Sequence, residues 1–586
     1  MKKWNLTEIY ENDQMWLNDL EEVKKEVAKI TDFKGTLNTK EGLEAYYTYE
    51  ENLDKIISKM YSYVSMSYDQ NQKNLTYQDL QNKIRMVLME LSSKSAYIDN
   101  ELLQLKFEDY KELAKESKII KEHLFGIQML FDSKTHVLSE AEEKILSNSS
   151  MINSSFSRLY ALLQNSDSKP TDVTLSDGSV VSVSPGTYTG ILSKLENQDD
   201  RRKVFEAHFA YYEDHKNTLA GIYKGVVDCS IAKMKNRGYK SFLAAYLESQ
   251  NIPDEVYLSL INTVRNNTAP LKRYIDLRKK YFNLDEYHTY DRFLSISDSN
   301  VVYDYAKAKE AVLEACSVMG DDFKKHAEIA MADGHVDVYP QDGKRSGAYS
   351  TSVEGFGPYI LLNHQDTLDS AFTLAHECGH SIHTLYSTEN QPYATKGYRI
   401  FVAEIPSTFN EQLFLDYLLK SSDDKNVKIQ ALEQQIDGIV STFYRQTLFA
   451  DFEYQAHSLA IEGKAFTYES LSNIMADLYM TYYGIDLNTE ELKKFVWAYI
   501  PHMYYTPFYV YQYATCFSAS MKIYQDVKNN VEGAKDKYFD LLKAGGSLYP
   551  VDVVKLGGVD LTTSAPFEAV CQKLDQLLDE LEALLD

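Results

Sequence analysis

Residues 367–388, TLDSAFTLAHECGHSIHTLYST, are the stretch that decides the fold of this chain. Apolar residues recur along it at three- and four-residue intervals, which is typical of a buried α-helix. Asp366 or Thr367 can cap its N-terminus. Asp369 and Glu377 are the only carboxylates within it. A helix this apolar is expected inside the protein, where polar groups need partners.

The centre of this helix carries the motif His376-Glu377-Cys378-Gly379-His380. At about 100° per residue the two histidines lie one turn apart on one face, so both can bind one ion, while Glu377 is offset towards a metal-bound water. A buried carboxylate beside two imidazoles is costly unless a cation or hydrogen bonds satisfy them. The motif therefore predicts a zinc site for hydrolysis, and a hydrogen-bonded pair of core histidines is the structural alternative.

A hydrolytic zinc needs a third protein ligand and an open position for water. Glu404 lies 24 residues after His380, near the start of a second predicted helix, IFVAEIPSTFNEQLFLDYLL, with Pro406 in its first turn. His383 is the alternative, but three ligands along one straight helix would strain tetrahedral geometry. We therefore favour Glu404. Glu411, two turns further on, either orients a ligating histidine or forms an ordinary surface ion pair.

The composition of the whole chain favours a large, mostly helical protein. Its 586 residues include only 25 Gly and 12 Pro, fewer than turn-rich folds contain. The net charge of −25 argues against nucleic acid or an anionic membrane as a partner. Five widely spaced cysteines without a CxxC pair fit reduced thiols, and no signal-peptide pattern follows Met1. We expect a cytoplasmic protein.

One uncharged segment has the length of a membrane span. Residues 495–517, FVWAYIPHMYYTPFYVYQYATCF, contain two prolines, His502 and six tyrosines. So many groups that need polar partners disfavour contact with lipid. We interpret the segment as a buried part of a water-soluble protein.

Two short β signals interrupt the helical pattern. Residues 173–183, VTLSDGSVVSV, alternate in polarity around Asp177-Gly178 and predict a hairpin. Residues 335–365 predict two or three strands just before the motif helix. We divide the chain into an N-terminal helical lobe, residues 1–190, with the hairpin near its end, and a second domain, residues 191–586, that carries the motif.

A resemblance to a known family rests on five stretches: WNLTEIYEND (4–13), YPQDGKRSGAYS (339–350), AHECGHSIH (375–383), VAEIPSTFNE (402–411) and PHMYYTPFYVYQYATCF (501–517). They resemble the oligoendopeptidase F branch of the thimet-type zinc oligopeptidases. The resemblance spans essentially the whole chain. It implies a mainly α fold, a large helical ellipsoid with a deep substrate channel and a small β-sheet beside the HExxH helix, and it makes residues 191–586 the catalytic domain.

The resemblance also implies roles for individual residues. One Zn²⁺ per chain would be held by His376, His380 and Glu404, with Glu377 as the catalytic base. In the tyrosine-rich segment, His502, Tyr511 and Tyr513 would hydrogen-bond the substrate carbonyl and its tetrahedral intermediate. This segment departs from the glycine-rich loop of the thimet branch, so Tyr509 is an alternative to the other two tyrosines. The strand within GKRSGAYSTS (343–352) would pair with an extended peptide.

We therefore expect a cytoplasmic zinc metalloendopeptidase that hydrolyses internal bonds of short oligopeptides. Short peptides are its expected partners. Two alternatives stay open. A zinc exopeptidase of carboxypeptidase or dipeptidase type would need a basic group for the terminal carboxylate, and Lys344 and Arg345 are the candidates. A non-catalytic, zinc-containing peptide-binding scaffold would normally close its site with a fourth protein ligand.

Overall fold

A computed structural model describes residues 2–297 and 302–586. Helices make up most of this described chain, and its strands form two small sheets. The mainly α fold class is therefore confirmed. Among the described helices, none combines the length and the apolar character that crossing a bilayer requires.

The strands occur in two short stretches of the chain between long runs of helices. The helices before the motif are α1 (Asp13–Ala28), α2 (Lys40–Gln70), α3 (Leu75–Ser95), α4 (Ile98–Leu102), α5 (Phe107–Glu116), α6 (Lys118–Ser133), α7 (Glu140–Leu162), α8 (Tyr188–Leu192), α9 (Gln198–Asp214), α10 (Lys216–Asn236), α11 (Ala244–Leu247), α12 (Asp254–Asn266), α13 (Ala269–Tyr281), α14 (Tyr305–Ser317) and α15 (Asp321–Ala330). The strands are β1 (Thr171–Thr174), β2 (Val180–Val183), β3 (Val336–Asp337), β4 (Tyr349–Val353) and β5 (Gly357–Leu361). The motif helix and those after it are α16 (Leu368–Asn390), α17 (Ile400–Ser421), α18 (Lys425–Gly438), α19 (Arg445–Ile461), α20 (Tyr468–Tyr483), α21 (Val496–Tyr499), α22 (His502–Tyr505), α23 (Tyr511–Lys528), α24 (Ala534–Ala544), α25 (Pro550–Leu556) and α26 (Ala565–Leu585).

The chain forms two compact units, and each is assembled from separate stretches of sequence. Unit 1 comprises Met1–Thr135, Val301–Ser421 and Ile523–Gly558. Unit 2 comprises His136–Asn300, Ser422–Lys522 and Val559–Asp586. The division of the sequence into residues 1–190 and 191–586 stays a prediction.

The N-terminal helices of unit 1 share an apolar core with its sheet. Helix α1 buries every third or fourth residue from Trp16 to Val27, the spacing of one helix face. This face packs with α2 and α3, and the same cluster of buried side chains extends to Tyr359 of β5. Ahead of α1, the indole N–H of Trp4 donates to the carbonyl oxygen of Ile360 at 2.9 Å. The N-terminus is thereby tied to the sheet next to the motif helix.

The sheet of unit 1 has three strands in the order β3-β5-β4. Strand β3 runs parallel to β5, while β4 pairs antiparallel with β5 from Tyr349 opposite Leu361 to Val353 opposite Gly357. Among the described strands β4 pairs with β5 alone, so its other edge is unpaired by any strand. Helix α16 packs on both β4 and β5. The predicted small sheet beside the motif helix is confirmed.

The predicted hairpin lies in unit 2. Strands β1 and β2 pair antiparallel from Thr171 opposite Val183 to Thr174 opposite Val180. Gly178 in the connecting turn has a φ of 84°, a conformation that glycine adopts without strain. The Asp-Gly signal in the sequence therefore marks the turn correctly.

Candidate metal centre

The motif helix begins where the sequence indicates. The side chain of Thr367 accepts the backbone N–H of Ser370 at 3.2 Å and caps α16. Asp366, the other predicted cap, has a φ of 55° and precedes the helix. From there α16 continues without a break to Asn390, so His376 and His380 lie in its middle on one face.

The structure brings His376, His380 and Glu404 together within unit 1. The three side chains can each offer one ligand atom, and these atoms all lie within 4.8 Å of one another. Glu404 Oε2 is 3.2 Å from His376 Nε2 and 3.5 Å from His380 Nε2. Across residues 2–297 and 302–586 this is the only group of three or more such residues that converges in this way.

The donor set and its spacing fit a zinc ion. Two imidazole nitrogens and one carboxylate oxygen form a ligand set found in catalytic zinc sites, which leaves a fourth position open. Ligands about 2.0–2.1 Å from zinc at tetrahedral angles have donor atoms about 3.3 Å apart. The two distances to Glu404 lie on either side of this value, which fits ligands of one shared ion.

The electrostatics of the group favour a positive charge. Burial would raise the pKa of Glu404, but its hydrogen bond with His376 and the charges of both histidines lower that pKa to about 2. Burial lowers the pKa of His380 to about 4. Burial also opposes a charge on His376, but hydrogen bonds to Glu404 and Glu411 raise its pKa well above the ordinary value. The carboxylates that stabilise a positive charge on His376 would also stabilise a metal cation at the centre of the group.

Glu411 contacts the ring nitrogen of His376 that faces away from Glu404. His376 Nδ1 lies 2.6 Å from Glu411 Oε1, which is a strong hydrogen bond to a carboxylate. When Nδ1–H donates to Glu411, Nε2 keeps its lone pair for an ion. Glu411 was expected either to orient a ligating histidine or to form a surface ion pair, and in the structure it contacts His376.

Helix α17 differs from the sequence-based expectation at its start. It begins at Ile400, so Glu404 lies in its second turn and Pro406 inside the helix rather than in the first turn. Pro406 has no N–H to donate to the carbonyl one turn earlier in the helix. Sequence reasoning therefore normally places a proline in the first turn of a helix, where this hydrogen bond is not made. The hydroxyl of Ser407 lies 3.0 Å from Glu404 Oε2 and 3.0 Å from the Glu404 carbonyl oxygen, so it can donate to the carboxylate or to the backbone.

Close packing of α16 on α17 sets the position of Glu404. Gly379, between the two histidines, faces the backbone of α17. A Cβ atom on Gly379 would lie 2.4 Å from the carbonyl oxygen of Pro406 and 2.7 Å from Cα of Ser407. Glycine is therefore required for this helix approach, which the sequence pattern does not reveal.

Glu377 is buried beside the metal-ligand group. It is 6% exposed, and its Oε2 has no hydrogen-bond partner among the described residues. Burial raises its pKa to about 7. A carboxylate with a pKa near neutrality can both accept and return a proton, which is what a general base in hydrolysis must do.

His383 does not join the group. It is fully buried, and its ring stacks on Tyr398 with centroids 3.7 Å apart. Neither ring nitrogen has a hydrogen-bond partner within the described part of the chain, and burial lowers the pKa of His383 to about 3. The structure therefore brings Glu404, rather than His383, to the two motif histidines.

The tyrosine-rich segment, residues 495–517, belongs to unit 2. Its candidate residues lie in two different environments. The hydroxyl of Tyr513 lies 3.5 Å from His502 Nε2, and the Tyr509 ring is 5.4 Å from that of Tyr513 and 6.0 Å from that of His502. Tyr511 is 1% exposed and packs against Tyr257 with ring centroids 5.0 Å apart. His502, Tyr509 and Tyr513 thus form one cluster, and Tyr511 lies in the core.

A buried glutamate, which sequence reasoning missed, holds the turn in this segment. Phe508 has a φ of 57°, a left-handed conformation that is uncommon for a bulky residue. Its N–H donates to Glu453 Oε1 at 3.0 Å. Burial raises the pKa of Glu453 to about 8. The sequence gives only a weak signal for this role, because α19 also contains Arg445, Asp451 and His457.

The two basic residues considered for an exopeptidase are already paired. Lys344 Nζ lies 2.6 Å from Asp337 Oδ1, and both side chains are buried. Arg345 lies 3.1 Å from Asp69 Oδ2 and stacks over Tyr349. Lys344 is therefore not available to a substrate carboxylate without breaking its ion pair, whereas the Arg345 side chain is 52% exposed and keeps guanidinium donors that Asp69 does not use.

Comparisons with known proteins agree with the resemblance described above. The model of peptidase family M3 matches residues 191–573, and that of the oligopeptidase F N-terminal region matches residues 101–169. Oligopeptidase PepF of Bacillus subtilis is 35% identical and covers 99% of this chain and 87% of its own length. Group B oligopeptidase PepB of Streptococcus agalactiae is 33% identical and covers 100% and 97%. The crystal structure of oligoendopeptidase-F from Enterococcus faecium superposes with a TM-score of 0.74 at 30% identity, covering 98% of this chain and 99% of that one.

Proposed function

The chain belongs to peptidase family M3, and on that premise we propose that it is a zinc metalloendopeptidase that cleaves internal bonds of short oligopeptides. The observation that carries the proposal is the convergence of His376, His380 and Glu404 beside the buried carboxylate of Glu377. Among the described residues the group offers three protein ligands and no fourth, which favours a catalytic over a closed structural site. We also propose a cytoplasmic location, from the cysteine usage.

Each residue of the centre has a distinct task in this proposal. His376, His380 and Glu404 would hold one Zn²⁺, which supplies a Lewis acid for the scissile carbonyl and for the nucleophilic water. Glu377 would accept the proton of that water and deliver it to the leaving amine, since its carboxylate is buried beside the ligands and its Oε2 has no hydrogen-bond partner among the described residues.

Two further residues position the ligands. Glu411 fixes the tautomer and the ring orientation of His376 through the 2.6 Å contact at Nδ1. Ser407 restrains Glu404 through its hydroxyl. These contacts pre-organise the group, so that little rearrangement is needed when an ion or a substrate binds.

The substrate backbone would bind along β4. This strand has one edge unpaired by any described strand, where an extended peptide can add as a further strand through main-chain hydrogen bonds. Such binding tolerates many side chains, which suits an enzyme that acts on varied short peptides.

His502 and a tyrosine hydroxyl would stabilise the oxyanion of the intermediate. We assign the hydroxyl to Tyr513 first, because it approaches His502, and to Tyr509 second. Tyr511 remains a candidate from the family resemblance, although its burial in the core disfavours contact with substrate.

Replacement of the proposed base tests the mechanism. Glu377→Gln should keep stoichiometric zinc and lose about 10²–10⁴-fold in rate, because the amide cannot accept the proton. Zinc content is measured by atomic emission and turnover with a fluorogenic peptide. Hydrolysis at the wild-type rate by Glu377→Gln would refute the assignment.

The position of the cuts distinguishes the alternatives. Mass spectrometry of fragments from a mixed peptide library should show internal cuts, whereas removal of only one or two terminal residues would indicate an exopeptidase. Turnover that a chelator abolishes and zinc restores would exclude a non-catalytic scaffold.

A further inference from the structure

Unit 1 contains a large cavity that none of the metal ligands lines. Its volume is about 690 Å³, which lies within the range of ligand-binding pockets in proteins. Its walls come from α2, α4 and α6, from the end of α3, and from Tyr393 and Ala394, which follow α16. All of these elements belong to unit 1, the unit that also carries the metal-ligand group.

The walls of this cavity combine aliphatic side chains, aromatic rings and carboxylates. The aliphatic lining includes Ile98, Leu102 and Ile127, and four tyrosines contribute their rings. Four carboxylates complete the lining, and they belong to Glu50, Glu51, Asp54 and Asp99. Among the described residues that line the cavity there is no lysine or arginine. The carboxylates are therefore built into the wall of a cavity and do not form a patch on a convex surface.

Two of these carboxylates lie on one stripe of α2. Tyr46, Glu50 and Asp54 follow one another at four-residue intervals, which places them on one face of the helix. The Tyr46 hydroxyl donates to Glu50 Oε1 at 2.5 Å, and the Tyr393 hydroxyl donates to Asp54 Oδ2 at 2.5 Å. An ionised carboxylate can accept about four hydrogen bonds, so both keep capacity for a further donor. Burial raises the pKa of Glu50, and a cation beside it would stabilise its charged form.

The other two carboxylates differ in how far they are engaged. Glu51 Oε1 lies 3.1 Å from His123 Nε2, and Glu51 Oε2 lies 3.5 Å from Lys55 Nζ. Asp99 is exposed, and its carboxylate makes neither a hydrogen bond nor an ion pair with any described residue. With Glu51 paired, the remaining three carboxylates keep a negative charge that no ion pair neutralises within the described chain.

Two lysines of the protein itself show that the wall at Tyr393 attracts cations. Lys55 Nζ lies 4.6 Å from the centre of the Tyr393 ring, and Lys396 Nζ lies 3.9 Å from it. An ammonium group over the face of a ring is held by the quadrupole of that ring. Both lysines are also paired with carboxylates, Lys55 with Glu51 and Lys396 with Glu354. They therefore leave the charge of the other cavity carboxylates unneutralised.

A second cavity adjoins the first and extends it to β4 and the motif helix. Its volume is about 510 Å³, and it shares three lining residues with the first, Asp54 among them. Ser58, one turn beyond Asp54, continues the stripe of α2 along this cavity. Its other walls include Ser352 of β4 and both Thr384 and Thr388 of α16. The two cavities form one recess, hereafter the α2 recess, which starts at β4.

The α2 recess begins a few peptide residues away from the metal-ligand group. Thr384 and Thr388 follow His380 by one and two helical turns, about 6 Å and 12 Å along the axis of α16. An extended peptide advances about 3.3 Å per residue. A substrate that lies along β4, with its scissile bond at the metal-ligand group, would therefore enter the recess two to four residues from that bond.

We propose that the α2 recess binds a cationic group of the peptide substrate beside Glu50, Asp54 and Asp99. The proposal rests on the peptidase function above, because a peptide bound along β4 brings the group to the recess. An aliphatic stem can pack on the apolar lining while its guanidinium or ammonium head meets rings and carboxylates. The cation is either an Arg or Lys side chain or the N-terminal ammonium of the peptide.

An arginine scan of one peptide tests the proposal and separates the two sources. The parent peptide is acetylated and neutral, and single arginines replace the residues on both sides of the cut in turn. A further version keeps the neutral sequence but has a free amino terminus. Mass spectrometry confirms that the same bond is cut in each version.

A charge-assisted contact should raise kcat/KM about 10-fold for arginine two or more residues from the cut on one side, and not for arginine next to the cut. A gain that only the free amino terminus produces would identify the terminal ammonium as the bound group. No gain with any version would overturn the proposal. An equal gain at every position would also overturn it, because the overall negative charge of the protein would then suffice as the cause.

Removal of the carboxylates should abolish the gain. In Asp99→Asn and in Glu50→Gln, whose side chains keep nearly the same shape, the ratio of kcat/KM between the preferred peptide and the neutral parent should fall towards one. Glu44→Gln is the matched control, because it removes a charge from α2 at a residue that lines neither cavity. It should keep the ratio. An unchanged ratio in both cavity variants would overturn the site, as would an equal fall in the control.

A binding measurement makes the test independent of turnover. In calorimetric titrations of zinc-loaded Glu377→Gln, the preferred peptide should bind about 10-fold more tightly than the neutral parent, and addition of Asp99→Asn should remove the difference. If the wild type hydrolyses peptides but neither measurement shows a preference for the cation, the site is wrong and the peptidase function stands. If the wild type hydrolyses no peptide while the difference in binding persists, the peptidase function is wrong and the site stands.

Discussion

The contact between Gly379 and α17 leads to a prediction about both stability and the metal centre. Gly379→Ala would add a Cβ atom 2.4 Å from the carbonyl oxygen of Pro406, where ordinary contacts begin near 3.4 Å. The opposing atoms belong to the backbone and cannot rotate away. The two helices must therefore separate by about 1 Å, or α16 must distort between its two histidines.

The expected cost combines two opposing effects. Overpacking a close contact costs about 1–3 kcal/mol, and a clash with backbone belongs at the upper end. Alanine returns about 1 kcal/mol because it favours a helix over glycine. The net destabilisation should be about 2 kcal/mol. Because Glu404 moves with α17, zinc should bind more weakly, and a misplacement of about 1 Å should lower kcat/KM by about 10²-fold.

Urea denaturation, competition for zinc with a chelator, and peptide hydrolysis measure these three effects. Gly221→Ala is the matched control, because Gly221 lies inside α10 with no atom within 4 Å of an added Cβ. This control should gain up to about 1 kcal/mol and keep its zinc affinity. If Gly379→Ala behaves like Gly221→Ala in stability and zinc affinity, the argument that this glycine sets the position of Glu404 is wrong.

Three further predictions concern single side chains. Glu411→Gln should weaken zinc binding about 10–100-fold, measured with a chelating dye, since a weaker acceptor orients His376 less well; unchanged affinity would leave Glu411 as a simple ion-pair partner. Tyr513→Phe should lower kcat about 10²-fold with little change in KM, and an unchanged kcat would transfer the role to Tyr509. Glu453 has a pKa of about 8 in the fold against 4.5 ordinarily, so the unfolded chain loses this proton first and stability falls as pH rises between these values. Glu453→Gln should remove that contribution, by a few kcal/mol at pH 8 and above; denaturation curves whose pH dependence matches wild type would contradict it.

Local patterns in the sequence predict the parts of this fold that depend on neighbouring residues. The cap at Thr367, the buried helix around the motif, the hairpin turn at Gly178 and the strands before α16 each follow from residues within one or two turns of each other. The motif itself is local, since one helical turn brings two histidines to one face. These features are therefore accessible without the structure.

The rest depends on how distant elements pack. The early start of α17 escapes sequence reasoning because Pro406 normally indicates a first turn, whereas in this fold packing against α16 keeps a proline inside the helix. Glu453 and Phe508 are 55 residues apart, and only the fold reveals their hydrogen bond.

Unit 1 is assembled from three separate stretches of sequence, which limits when it can fold during synthesis of the chain. The carbonyl that the Trp4 indole contacts belongs to Ile360, which is made 356 residues after Trp4. The last stretch of the same unit, Ile523–Gly558, must therefore be made before this unit can close. Contacts over such separations form slowly. A fragment that ends before Ile523 therefore lacks part of the unit that carries His376, His380 and Glu404.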